Sequence, residues 1–219
     1  AAEILALLPH ENDPKLTARV TPSIERGIEW LLGMQGSDGG WGAFDRDNNR
    51  QILNEIPFAD LKSLIDPSTP DLAGRVLEML GQVGRKVGDP AVDRAVAYIR
   101  DTQEADGSWF GRWGVNYIYG TSGVLAALSL IAPIRYQTEI NKGAAWLVSC
   151  QNADGGWGET CASYDNQSLK GIGISTASQT SWALIGIMAA MEGTKFAGQA
   201  TVERGIEYLL NTQQSDGTW

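Results

Sequence analysis

Apolar residues along this chain fall into two kinds of stretch that alternate. One kind is amphipathic. In Arg26–Gln35, residues Ile28, Leu31, Leu32 and Gln35 share one face at helical spacing. The other kind is apolar nearly all round: Ala2–Leu8, Pro70–Val83, Ser122–Ile131 and Thr176–Met191. Helices of that second kind are buried on several sides. The order predicted is buried helix, amphipathic helix, buried helix, amphipathic helix, repeated along the chain.

The amphipathic stretches end alike. Arg26–Trp41, Arg94–Trp109, Lys142–Trp157 and Arg204–Trp219 each carry a basic residue, an aromatic four on, a Gln nine on and a Trp fifteen on. A period repeated in this way marks a repeat architecture. The Asp-Gly pair before each Trp suits a turn with positive φ at glycine. The Trp is then free to fold back over the helix end and shield the Gln amide, whose hydrogen bonds go to orphaned backbone groups. Thr21-Pro22, Thr69-Pro70 and Asp89-Pro90 read as caps followed by a first-turn proline. Thr176 with Gln179 reads as a capping box.

Alternation of this kind curls into an all-α fold, an α/α toroid with buried helices inside and repeat helices outside. Four pairs make roughly two thirds of a six-pair ring, an incomplete (α/α)6 barrel. Residues 1–219 are expected to form a single domain, with no strand-rich region and no interdomain linker. The links from outer to inner helices are long: Gly42–Ser68, Phe110–Thr121 and Gly158–Ser175. They emerge at one end of the ring, beside the N-termini of the inner helices. Long loops on a rigid scaffold are where function concentrates.

Composition narrows the chemistry. A net charge of -9 argues against nucleic acid as a partner, which requires a basic face. Two cysteines, Cys150 and Cys161, give no disulfide framework and point to a reducing compartment. His10 is the single histidine, so no zinc-ligand spacing exists. The longest apolar runs are too short to span a bilayer, which leaves open a protein resting on one leaflet.

Four aromatics, Phe110, Trp113, Tyr117 and Tyr119, crowd into ten residues beside Arg112. Two readings fit them: a pocket lined with π faces that stabilise positive charge, or simple packing of the loop onto the inner helices. Asp45 and Asp47 suit a divalent ion or, more simply, turn and cap roles. Asp71 stands in the first turn of an inner helix, where the dipole favours a carboxylate, and Arg75 follows at i+4, facing it.

These residues carry a resemblance. The four repeats resemble the QW motifs of triterpene cyclases. GWGAFD (Gly40–Asp45), IPFAD (Ile56–Asp60), DPSTPDLAGRVLE (Asp66–Glu78), DGSWFGRWGVNYIYGT (Asp106–Thr121) and STASQTSWAL (Ser175–Leu184) look specifically like bacterial squalene-hopene cyclase. The resemblance implies an enzyme of two α/α-barrel domains, monotopic on the cytoplasmic face of a bacterial membrane, homodimeric, and without metal or organic cofactor. It implies squalene as substrate, protonated by an Asp of a DXDD motif and cyclised to pentacyclic hopanoids through a carbocation cascade. Residue by residue, Trp113 is similar to a cavity Trp and Tyr119 to a Tyr near the catalytic acid. Phe44 falls where relatives have a Tyr facing the ring-forming cation, and Phe58 falls at the substrate-channel constriction. Asp71 matches an Asp in the acid's hydrogen-bond network. Arg75 stands where some relatives carry a His, and a fixed Arg charge cannot relay a proton at neutral pH.

No DXDD motif occurs in the 219 residues. The family places it just before a segment resembling Ala1–Leu8. The chain is therefore expected to be a C-terminal-half fragment, inactive alone. Two other classes share the toroid: protein prenyltransferase β subunits, which need zinc ligands, and non-catalytic interaction scaffolds, which predict a polar ring interior.

Overall fold

Each repeat tryptophan closes its own helix. In the computed structural model, which describes residues 14–55 and 64–219, the indole N–H of Trp41, Trp109, Trp157 and Trp219 donates to the carbonyl ten residues earlier. The acceptors are Leu31, Ile99, Leu147 and Leu209, at 2.7, 2.7, 2.7 and 2.9 Å. A helix C-terminus leaves such carbonyls without intrahelical partners, and the folded-back Trp supplies one. Trp41, Trp109 and Trp157 are fully buried in doing so.

The Gln does more than seal its own turn. Gln35, Gln103, Gln151 and Gln213 donate to the carbonyls of Gly39, Gly107, Gly155 and Gly217. Gln35, Gln103 and Gln151 also donate forward to Ala91, Glu139 and Thr201, in the next outer helix. Arg94 and Arg204, the basic residues of later repeats, donate back to the Oε1 of Gln35 and Gln151. The repeat is a device that joins consecutive outer helices. Its glycines have φ of 92°, 97°, 87° and 88°, as the Asp-Gly pairs predict. At Gly39, Gly107 and Gly155 a Cβ would also come within 2.5–2.7 Å of a carbonyl of the next repeat helix.

The helices are α1 (Pro14–Gly33), α2 (Pro70–Gln82), α3 (Pro90–Asp101), α4 (Tyr117–Ile131), α5 (Gln137–Ser149), α6 (Ala177–Thr194) and α7 (Gln199–Thr212). Short 3-10 turns lie at Gln51–Glu55, Cys161–Tyr164 and Gln167–Leu169. Helix α4 packs between α2 and α6, while α3, α5 and α7 lie outside them. This is the predicted α/α alternation, with α2, α4 and α6 as inner helices. Small residues allow the close approach. A Cβ on Gly74 would stand 3.2 Å from the Gly123 backbone, and one on Gly186 would stand 2.8 Å from Ser122 Cα. From Tyr117 to Leu128 every α4 residue except Tyr119 is buried, which explains its all-round apolarity. The inner helix read at Ala2–Leu8, His10 and Phe58 lie outside the described residues.

Four local readings change. Helix α1 is already helical before Thr21 and runs through Pro22, so Thr21 is no cap. The helix lies on the surface, with Val20 its one buried residue, and the Ser23 hydroxyl donates to the Arg19 carbonyl beside the proline. Thr69 occupies the cap position of α2, but its hydroxyl makes no capping bond; its N–H goes instead to the Trp41 carbonyl at 3.0 Å. Half the Thr176 capping box forms: its hydroxyl accepts from Gln179 N, while the Gln179 side chain turns to Glu159. Helix α4 starts five residues before Ser122, which moves Tyr117 and Tyr119 from the loop into its first turn. The Asp89 cap is as read, accepting from Ala91 N at 2.9 Å.

Candidate active site

The three long links are held at the inner-helix N-termini by three buried carboxylates. Asp66 Oδ2 accepts the N–H groups of Phe44 (2.5 Å) and Asp45 (2.8 Å) in the first link. Asp71 Oδ2 accepts those of Arg112 (3.0 Å) and Trp113 (3.2 Å) in the second. Glu159, in the third, accepts the N–H groups of Asn116 (3.2 Å) and Ile118 (3.0 Å) with Oε2 and so caps α4. Bonds from backbone N–H to an ionised acceptor are among the stronger ones, about 1.5–3 kcal/mol each. In all three the second carboxylate oxygen is buried and has no partner among the described residues. A buried carboxylate oxygen left this way is poised to accept one further proton donor.

Glu159 also explains the early start of α4. Its carboxylate sits where four backbone N–H groups lack partners and the dipole favours negative charge. Nothing local to Tyr117 signals this, because the cap comes from more than forty residues downstream. Thr121 and Thr180, one turn further into α4 and α6, accept the N–H of Trp109 and Trp157 at 2.9 and 3.0 Å. The second and third links therefore leave their Trp at a fixed point on the inner helix that follows.

The loop aromatics divide into two groups, one packed and one more open. Phe110 and Tyr117 are packing. Phe110 meets Tyr117 and Tyr164 edge-on at 5.8 and 5.9 Å, and Lys170 Nζ sits 4.3 Å over the Tyr117 ring. Burial pushes the phenols of Tyr117 and Tyr164 up to about 12, so both stay protonated donors at neutral pH. Trp113 and Tyr119 belong to an open group. Trp113 is 51 % exposed and meets Phe44, 73 % exposed, edge-on at 5.5 Å. Tyr119 lies on Gly114, where a Cβ would come within 2.5 Å of its ring, and meets Trp182 at 4.9 Å. Trp182, a tryptophan outside the repeats, thus stands beside Tyr119. Guanidinium groups flank the rings: Arg75 is 5.8 Å from the Tyr119 centroid and Arg112 is 5.7 Å from that of Trp113.

The expected pairing of Asp71 with Arg75 does not form. Arg75 turns along its helix to Glu78 at 3.2 Å, while Asp71 is buried against the backbone of the second link. Two backbone N–H groups in a buried setting hold the carboxylate better than a half-exposed guanidinium, which would lose hydration to reach it. Asp45 and Asp47 take turn roles. Asp47 accepts the Ser37 N–H at 2.6 Å, which lowers its pKa, and Asp45 accepts from the Asn48 amide.

The fold defines a class, an all-α α/α-toroid domain. A type II terpene cyclase from Scytonema, solved with geranylgeranyl dihydroxybenzoate, superposes with a TM-score of 0.64 at 19 % identity, over 93 % of this chain and 54 % of that one. The ent-copalyl diphosphate synthase of Streptomyces platensis gives 0.53 at 16 % identity, over 97 % and 42 %. Within that class, the family model for the squalene-hopene cyclase C-terminal domain matches residues 2–219, and the chain belongs to this family. It is 48 % identical to the squalene–hopene cyclase of Zymomonas mobilis, over 89 % of this chain and 29 % of that protein. It is 47 % identical to the dammaradiene synthase of Dryopteris crassirhizoma, over 90 % and 32 %. The chain thus spans about 30 % of the length of these curated relatives.

Proposed function

We propose that this domain forms one wall of a triterpene cyclase cavity in which squalene is protonated and closed to pentacyclic hopanoids. The observation that carries this reading is the open aromatic group. Phe44 with Trp113 and Tyr119 with Trp182 form two edge-on pairs drawn from three different parts of the chain, and Tyr119 lies on Gly114, next to Trp113. An apolar polyene needs an apolar surface, and its cyclisation moves a positive charge from carbon to carbon. Ring faces stabilise that charge without offering a lone pair that ends the cascade. Phe44 and Trp113 fill the substrate-binding role, and Phe58, outside the described residues, is assigned to it by resemblance.

Asp71, Arg75 and Tyr119 fill a supporting role. Asp71 presents a buried Oδ1 with no partner among the described residues, beside Trp113. In this reading it accepts a hydrogen bond from the acid that protonates squalene, an acid supplied from outside the 219 residues. The isolated chain is then inactive, and its parent acts as a homodimer on a membrane surface. No helix among the described residues is long and apolar enough to cross a membrane.

The test is incubation of squalene with the full-length protein and, separately, with the 219-residue chain. Pentacyclic product from the first and none from the second supports the proposal. Pentacyclic product from the chain alone refutes the supporting role.

A further inference from the structure

The second link is gripped on two sides. Asp71 takes its N–H groups at Arg112 and Trp113. On the other side stands Tyr164, from the 3-10 turn of the third link. Its hydroxyl lies 2.9 Å from the Gly114 carbonyl and 3.1 Å from the carbonyls of Gly111 and Arg112. One O–H is the only donor facing these three carbonyls from Tyr164. Its ring is fixed edge-on against Phe110, and its own link is anchored by Lys170, which pairs with Glu104 and Asp106 at 3.6 and 3.4 Å.

We infer that Tyr164 is a positioning residue: its hydroxyl gathers the 111–114 carbonyls so that the Trp113 ring faces the cavity and the Arg112 and Trp113 N–H groups converge on Asp71. The inference rests on the cyclase reading for its consequence in catalysis, though not for the clamp itself. The peptide groups of a tight turn alternate in direction. Holding only the N–H side leaves the turn free to rock about Asp71, and holding both sides fixes it. Trp113 is half exposed, with Phe44 and Arg112 as its ring partners, so its orientation depends on its backbone more than on packing.

Tyr164→Phe keeps the ring against Phe110 and removes the hydroxyl alone. Two measurements are made on the full-length protein. The first is hydrogen exchange in the segment containing Arg112 and Trp113. The expected result is exchange about tenfold faster than wild type in that segment, with distant inner-helix segments unchanged. The second is the product profile from squalene, expected to shift toward products with fewer rings at a nearly unchanged KM. A clamp that merely stabilises the fold would instead speed exchange everywhere and leave the profile intact, overturning the inference. Unchanged exchange in the segment overturns it as well. If wild type makes no cyclised product, the cyclase reading fails while the exchange result still decides the clamp. Tyr164→Leu, which also removes the ring, is expected to exceed Tyr164→Phe in exchange; equal effects would show that the hydroxyl carries the whole clamp.

Discussion

Gln179 holds the backbone of Glu159 at both ends of its amide. Its Nε2 donates to the Glu159 carbonyl at 3.0 Å, and its Oε1 accepts the Glu159 N–H. Glu159 in turn caps α4. One amide in α6 therefore locates the first turn of α4, on which Tyr119 stands. Gln179→Ala leaves two buried backbone groups unpaired, at about 1–3 kcal/mol each. The expected result is a loss of about 2–6 kcal/mol in urea unfolding of the domain, with an unchanged m-value. A loss below about 0.5 kcal/mol, the range of an ordinary surface substitution, would remove this bond pair from the structural account.

The glycines of the repeat separate two effects. Gly155 and Gly217 have nearly equal φ, 87° and 88°. A Cβ on Gly155 meets the Arg204 carbonyl at 2.5 Å, whereas one on Gly217 meets nothing nearer than 4.0 Å. Gly217→Ala is expected to cost about 1 kcal/mol from left-handed strain alone. Gly155→Ala adds a backbone clash across two repeats and is expected to cost at least twice as much. Equal losses in thermal or urea unfolding would show that the turn, not the joint between repeats, requires glycine.

Cys150 and Cys161 are expected to differ in reactivity. Burial pushes the Cys150 thiol up to about 12, while Cys161 is exposed. The neutral thiol is thereby favoured in the fold, so Cys150 offers almost no thiolate at pH 8, and alkylation proceeds through thiolate. Mass spectrometry after brief iodoacetamide treatment should show Cys161 modified at least about tenfold faster. Equal rates would mean that the third link opens readily around Gly171, on which a Cβ would collide with the Cys150 sulfur.

Asp71→Asn tests the carboxylate of the second link. The amide oxygen in the Oδ2 place still accepts both N–H groups, but the charge is gone and the amide places a donor where Oδ1 has no partner among the described residues. Turnover by the full-length protein is expected to fall at least tenfold, about 1.4 kcal/mol, with the melting temperature only slightly lowered. Unaltered turnover would exclude Asp71 from the reaction's supporting network.

Much of the scaffold was legible because its signals are periodic and local. The Gln-to-Trp spacing, the Asp-Gly turns and the Asp89-Pro90 cap lie within a few residues of what they control, and the structure shows each as read. The site was legible in part. The wording around Trp113, Phe44 and Asp71 named them as candidates, and the structure brings the three together at the second link, but the partner of Asp71 was misassigned. A helical i+4 rule names Arg75, whereas the true partners are backbone groups of another link. The start of α4, the role of Gln179 and the clamp at Tyr164 left no local trace. Each depends on contacts between residues 20–53 positions apart, a separation at which neither propensity nor capping pattern carries information.

The most direct test of the cavity reading is the product profile from squalene of the full-length protein against its Trp113→Ala variant, by gas chromatography with mass detection. The expected result is pentacyclic product from wild type, and from the variant a lower total with a larger share of products carrying fewer rings. No cyclised product from wild type, or an identical profile from the variant, would contradict it.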